Sequence, residues 1–336
     1  MGVKLPGILP TKTLSWEDLK NKKIGVDASN SIYQFLSSIR QQDGTPLMDS
    51  KGRITSHLMG ILTRSSNLMQ KGIKLCYVFD GKPPDLKIKT QQARRERKEK
   101  AYEKYKQAKD EEDIKSMYKY SKQVTYLNNE MVLESKDLLK AMGIPIVQSP
   151  QESDAQGAFM VERKDLWAFA SSDADCLLHG CPRTIPNLTL SQKRKLPGNK
   201  FVYIQPELID LNEVLEHLNL NQDQLIAMGI LTGTDYNPGG IKGIGPKKAL
   251  NLVHQYKNFD ELFKQVNPDF NWKQIFAIFK SMPVMKNYQL DWTEVDKEKI
   301  LRILVDRHEF SQDRVEKIIS QLDQKPKEQK GLSSWV

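Results

Sequence analysis

Seven carboxylates hold the chemistry this chain could do. Asp27 closes the apolar run Lys23-Ile24-Gly25-Val26, and Asp80 closes Leu75-Cys76-Tyr77-Val78-Phe79. Glu152 and Asp154 follow Ile144-Pro145-Ile146-Val147, and Asp173 and Asp175 follow Leu166-Trp167-Ala168-Phe169-Ala170. Asp235 comes after the apolar stretch from Leu225 to Leu231. An Asp after a strand also starts turns and caps helices. Capping does not account for the acid pairs Glu152/Asp154 and Asp173/Asp175, which add repulsion and no further cap. Carboxylates that converge repel one another unless cations sit between them. Oxygen ligands without His or Cys partners point to Mg²⁺ or Mn²⁺, not zinc.

The elements that must position these acids are short β-rich runs separated by helical stretches. That rhythm predicts an α/β fold with a doubly wound parallel sheet whose C-terminal strand ends line one crevice. A helix is expected from about Ser29 to Ile39, with Ile32, Phe35 and Leu36 on one face, and another from about Thr55 to Lys71. Residues 82–129 break the rhythm. From Lys87 to Lys109 there are ten Lys or Arg and three Glu, a local balance of +7. A charge run is often only a solvated helix face, but this one interrupts a sheet protein and returns to it, which suits an insertion over the strand ends. The α/β pattern resumes with a helix from about Glu130 to Met142, a strand at Ile144, a helix after Glu152 and a strand before Asp173. Lys193-Arg194-Lys195 reads as a basic turn, residues 206–265 as helical, and the chain beyond Pro268 as helical with breaks.

The 336 residues carry 51 Lys and Arg against 42 Asp and Glu, a net charge of +9. A basic surface around an acidic cluster suits a polyanionic substrate held by the surface and cleaved at metals. Cys76, Cys176 and Cys181 lack metal-ligand spacing and read as buried thiols in a reducing compartment. No apolar run is long enough to span a membrane and no secretory signal is visible, so a cytoplasmic protein is expected.

Gly240-Ile241-Lys242-Gly243-Ile244-Gly245-Pro246-Lys247-Lys248-Ala249 is a glycine hairpin opening a helix. Gly243 and Gly245 permit a tight turn and close approach of backbone N–H groups to phosphate. Lys247 and Lys248 oppose the helix dipole in the first turn, a choice that makes sense opposite a phosphate backbone. This is the helix-hairpin-helix pattern of sequence-independent duplex binding. The Gly-Lys-Ser/Thr ending of a nucleotide P-loop is absent.

Together, Met1-Gly2-Val3, Val26-Asp27-Ala28-Ser29, Val78-Phe79-Asp80-Gly81-Lys82-Pro83-Pro84, Met142-Gly143-Ile144-Pro145, Ser172-Asp173-Ala174-Asp175 and Gly233-Thr234-Asp235-Tyr236 resemble, in order, the flap endonucleases of the XPG-like structure-specific 5′ nuclease family, and most closely archaeal members. The resemblance covers nearly the whole chain. It implies a nuclease core over residues 1–322, with a helical arch at 82–129 and the helix-hairpin-helix element at 225–260. It implies that Asp27, Asp80, Glu152, Asp154, Asp173, Asp175 and Asp235 hold two Mg²⁺, replaceable by Mn²⁺, roughly 3.5–4 Å apart. Lys87 and Arg94 match arch residues that neutralise the scissile phosphate. Tyr33 matches an aromatic that stacks near the scissile nucleotide. Thr55 and Arg64 fall where the family binds the upstream duplex and a short 3′ flap. The hairpin implies a grip on the downstream duplex, with K⁺ bound there. The chain departs from the family's Glu-x-Glu at Glu152-Ser153-Asp154, where Asp is one methylene shorter.

The tail, residues 323–336, is polar and flexible in this reading. Gln329, Leu332, Trp335 and Val336 resemble the sliding-clamp-binding box, with Val in place of its second aromatic. The implied activity is cleavage of 5′ flaps, with 5′–3′ exonuclease activity, in Okazaki-fragment maturation and long-patch repair, by a monomer associated with the nucleoid. A bubble-cutting relative is a rival, disfavoured by the short insertion. A non-catalytic DNA-binding scaffold is another, disfavoured because a scaffold has no use for seven mutually repelling acids.

Overall fold

The computed structural model describes residues 7–111, 113–121, 124, 126–189, 193–195 and 201–323. Its strands are β1 (Lys12–Thr13), β2 (Lys23–Asp27), β3 (Lys74–Phe79), β4 (Ile146–Gln148), β5 (Ala168–Ala170), β6 (Arg183–Thr184), β7 (Lys193–Lys195), β8 (Phe201–Tyr203) and β9 (Glu207–Asp210). Seven of them form one sheet in the order β1-β9-β6-β5-β2-β3-β4. The run β6-β5-β2-β3-β4 is parallel, and β9 pairs antiparallel with β6 on one side and with the edge strand β1 on the other. The expected doubly wound α/β fold is present.

Side-chain alternation builds a core on each face of the sheet. Ile24, Val26, Leu75, Tyr77, Phe79, Ala168 and Ala170 point to one face, under helices Ala28–Ser38 and Asn129–Ala141 and the helical run 56–69. Cys76, Val78 and Phe169 point to the other, under helices Ser153–Glu162 and Gln222–Thr232. Gly25 lies on that second face because nothing larger fits: a Cβ there would stand 2.7 Å from Leu166 and 2.8 Å from Phe169. The chain winds from β2 to β3 to β4 on one side, then returns to place β5 beside β2. The switch point, where a crevice opens at the strand ends, therefore lies between β2 and β5.

The helix expected over 55–71 is continuous but carries a π-helical turn at Ile61–Ser65. The charged insertion is a short 3₁₀ turn (Asp85–Lys87), a long helix (Ile88–Asp110) and a second helix (Ile114–Ser121). Two expectations fail. Lys193–Lys195 is strand β7 of a separate hairpin with β8, not a turn. Glu207–Asp210 is strand β9, not helix, because Leu208 and Ile209 complete the sheet edge and Asp210 caps the helix Leu211–Leu218. All three cysteines are buried and free. No helix among the described residues is long and apolar enough to cross a membrane. The clamp-box residues Gln329, Leu332, Trp335 and Val336 lie outside the described residues.

Candidate active site

Each acid sits at or beside an element boundary, and for Asp27 and Asp80 a helix-start N–H explains why. Asp27 ends β2 and caps the helix Ala28–Ser38, accepting the Asn30 N–H at 2.9 Å. Asp80 follows β3 and accepts the Ser153 N–H at 2.8 Å. Glu152 and Asp154 flank that same helix start, but Glu152 makes no side-chain cap. Asp173 and Asp175 follow β5, where Asn30 Nδ2 ties Ser172 down at 2.7 Å. Asp235 sits in the loop after helix Gln222–Thr232. That loop is fixed by Asn237, which accepts from Thr234 N and Oγ1 and donates to Ile230 O at 2.7 Å. Gly233 turns with φ +107° and packs so closely on Gly240 that a Cβ would collide with its backbone.

The fold brings all seven acids, Lys87, Arg94 and Tyr33 to the wall of one cavity of about 920 Å³. Lys87 Nζ ion-pairs with Glu152 and stands 3.3 Å from Asp235. Arg94 Nη2 lies 2.6 Å from the other Asp235 oxygen. Thr90, one turn from both, donates its hydroxyl to the Asp235 carbonyl at 2.6 Å. The start of the basic helix is thereby fastened to the loop holding the seventh acid. The expected rim cations Lys87 and Arg94 are joined by Arg95 and Lys98, which also line the cavity. Spacings of seven and eleven residues from Lys87 mark Arg94 and Lys98 as one helix face, a signal the composition count did not use.

The electrostatics follow. Burial, then the Asp80 and Asp173 charges, raise the Asp27 pKa well above its ordinary value against the Asn30 N–H. Burial and four neighbouring acids do the same to Asp154. Burial also raises Glu152, despite Lys87. Burial opposes the Asp235 carboxylate too, but surrounding cations, Lys87 foremost and Arg94 among them, outweigh it and hold its pKa at about 2. Burial opposes the Lys87 ammonium, and Glu152 and Asp235 outweigh it in turn, raising its pKa. The Lys87–Asp235 contact is therefore a true ion pair, while Glu152 shares its charge less securely.

Among the described residues no three His, Cys, Asp or Glu side chains stand ready to hold a metal ion. The cluster takes charge compensation from Lys87 and Arg94. The residues fit a hard dication. The donors are all oxygen, Asp154 Oδ1 is buried without a hydrogen-bond partner, and the neighbouring Asp27 raises the Asp154 pKa further.

Of the remaining candidates, Tyr33 shares the cavity wall and the others lie elsewhere. Tyr33 is 39% exposed with Lys98 Nζ 5.0 Å from its ring centre, so it is not a core residue. Gly245 caps the helix Pro246–Gln255, Gly243 has φ +82°, and Lys247 and Lys248 are exposed in the first turn. Arg64 is half-buried in the π-helical turn, a local irregularity often found at functional sites. Thr55 is buried, its N–H donating to Leu47 O at 2.8 Å.

A polar cluster absent from the sequence reading holds the segment ahead of Thr55. Buried His308 places Nδ1 3.2 Å from Asp49 and Nε2 2.8 Å from Glu134. Arg53 pairs with Asp49 at 2.7 Å and donates to the Arg307 carbonyl. Glu309, in the left-handed region at φ +58°, accepts the Ser50 N–H at 2.9 Å. No sequence signal joins residues 259 positions apart.

Carboxylates gathered against a wall of fixed cations suit hydrolysis of a polyanion, which places the chain among the nucleases. Comparison with known proteins makes this specific. The XPG N-terminal domain matches residues 1–101 and the XPG I-region matches residues 143–235. Flap endonuclease 1 of Pyrococcus furiosus is 50% identical over all of this chain and 99% of its own length. That of Staphylothermus marinus is 46% identical over 100% and 99%. The solved flap endonuclease-1 from Methanococcus jannaschii superposes with a TM-score of 0.76 at 44% identity, covering 96% of this chain and 98% of that one. The catalytic core of Rad2, solved with a DNA substrate, shares the fold at a TM-score of 0.69 and 24% identity. This chain belongs to the flap endonuclease family of XPG-type nucleases.

Proposed function

We propose that the protein hydrolyses a phosphodiester near the base of a 5′ flap on branched DNA, by two-metal-ion catalysis, with 5′–3′ exonuclease action at the same site. The observation that carries this is the meeting of seven acids from separate strand ends and a hairpin loop at one cavity walled by Lys87 and Arg94. Asp27, Asp80, Glu152, Asp154, Asp173, Asp175 and Asp235 would hold two Mg²⁺ or Mn²⁺. Bound ions supply Lewis-acid stabilisation of the phosphoryl transition state and a nucleophilic water at neutral pH.

The chain's own residues do the rest. Lys87 and Arg94 neutralise charge building on the scissile phosphate, and Lys98 and Arg95 continue that cationic wall along the incoming strand. Tyr33 offers a ring face to the nucleotide beside the scissile bond. Insertion 82–129 acts as the helical arch within a nuclease core of residues 1–322. The 225–260 helix-hairpin-helix grips the downstream duplex through Gly243, Gly245, Lys247 and Lys248, with K⁺ at the hairpin. Thr55 and Arg64 serve the upstream duplex. In the tail beyond the nuclease core, Gln329, Leu332, Trp335 and Val336 engage a sliding clamp. The setting is Okazaki-fragment maturation and long-patch repair by a monomer in an archaeal cytoplasm, on nucleoid DNA.

The test is cleavage of an end-labelled flap substrate in Mg²⁺ and in EDTA. Cutting at the flap base in Mg²⁺ alone is expected. Binding of flap DNA without cutting in any divalent ion would support the scaffold reading instead.

A further inference from the structure

Part of the cavity lining is uncharged: the segment 126–132 contributes Tyr126, Leu127, Asn128, Asn129 and Val132 to it. Leu127 and Val132 are half-buried and pack on the core. Tyr126 does not: it is 52% exposed, just ahead of Asn128, which caps the helix Asn129–Ala141 by accepting the Met131 N–H at 2.8 Å. The cap fixes the chain direction there, so an aromatic ring is presented from an anchored backbone position.

An exposed ring in a cavity that also carries Lys87, Arg94, Arg95 and Lys98 on its lining suits a ligand with a flat apolar face and surrounding negative charge. A nucleobase on a single strand has both. Its π-face stacks on tyrosine without regard to sequence, and its phosphates meet the cationic helix. A duplex keeps its bases stacked internally and offers no free face.

We propose that Tyr126 is a nucleobase-stacking residue for the unpaired 5′ strand, carried by a different chain segment from Tyr33. The inference rests on the reading of flap DNA as substrate. It adds a second aromatic contact that would steady the strand on the side of the cavity formed by residues 126–132.

The test compares wild type with Tyr126→Ala, Tyr126→Leu and Tyr126→Phe, binding in EDTA to a flap carrying 2-aminopurine at successive positions of the 5′ strand. Wild type should quench the probe at one position. Tyr126→Ala and Tyr126→Leu should relieve that quenching and weaken flap binding by about 5- to 100-fold. Tyr126→Phe should restore both, and binding to a nicked duplex without a flap should stay unchanged. Equal behaviour of Leu and Phe would overturn stacking in favour of simple apolar packing. Equal losses on flap and nicked duplex would overturn it in favour of a structural role, which thermal melting of each variant would reveal. If wild type fails to bind the flap at all, it is the substrate reading that falls; if wild type binds and quenches but Tyr126→Ala matches it, only this inference falls.

Discussion

Lys87 is a built-in cation on the acids that are proposed to hold the metals, and this makes its replacement an opposed pair of effects. Its ammonium pairs with Glu152 and Asp235, and its side chain is only 14% exposed. At an effective dielectric constant of about 20, unit charges about 4 Å apart interact by about 4 kcal/mol. Desolvation of the ammonium offsets a large part of that. A net of roughly 1.5–3 kcal/mol remains for an incoming dication to displace, or about 10- to 100-fold in affinity. Lys87→Met keeps the stem's packing and removes the charge. The variant should therefore bind Mn²⁺ about 10- to 100-fold more tightly, read by electron paramagnetic resonance of free ion. It should also cut a flap about 10²–10³-fold more slowly in a single turnover, because the charge on the scissile phosphate goes unmet. Without metal, its acids lose a partner, so its Tm in EDTA should fall and its gain on adding Mg²⁺ should exceed that of wild type. Exposed Lys82→Met is the control. Unchanged or weaker Mn²⁺ affinity in Lys87→Met would refute the competition between ammonium and metal.

Three further outcomes are expected. Asp175→Ala should abolish cleavage in Mg²⁺ while leaving flap DNA bound, by gel shift in EDTA; near-normal cutting would remove Asp175 from the ligand set. The Glu134 carboxyl, raised by burial but held at about 2 by the His308 hydrogen bond and by the His57 imidazole 3.6 Å away, lies below its unfolded value of about 4.3. Its contribution is thus fully present above about pH 4.3 and lost as pH falls toward 2, about 3 kcal/mol unscreened and about 1–2 kcal/mol after solvent screening. Glu134→Gln should flatten urea-unfolding stability across that window, and a profile parallel to wild type would count against the cluster. Deleting Gln329 to Val336 should leave basal cleavage intact and remove stimulation by a sliding clamp, and equal stimulation before and after deletion would dismiss the clamp box.

The parts legible in the sequence share a cause. β2 and β3 are buried on both faces, so they read as apolar runs, and each stops at an Asp that holds a helix start, Asp27 that of the next helix and Asp80 that of the distant Ser153–Glu162. The charged insertion is legible because nothing in a sheet core resembles it. What escaped depends on distant partners. β9 has four residues, and its two apolar side chains make sense only once β1 and β6 lie on either side. Asp49, Glu134 and His308 are individually unremarkable polar residues until the fold buries them together. Tyr126 gives no periodic signal, and its exposure beside the acids is visible only in three dimensions.

The capping role and the chemical role of the acids are not rivals. Asp27 and Asp80 each commit Oδ1 to a helix-start N–H, from Asn30 and Ser153. A carboxylate held by one oxygen keeps a fixed direction for the other, so these two are oriented by the fold itself. Asp154 is the contrast: Oδ1 is buried with no hydrogen-bond partner, and its neighbours are acids. Such an oxygen is costly to leave unsatisfied, and its natural partner in this cluster is a cation. Lys87 and Arg94 satisfy Glu152 and Asp235 from the other side of the cavity. Five of the seven acids thus divide into two held by backbone N–H groups, two held by the basic helix, and Asp154, held by neither at Oδ1, where a dication would gain most. The shorter side chain at Asp154 therefore falls where backbone hydrogen bonds constrain the acids least, so the cluster can adjust to the missing methylene.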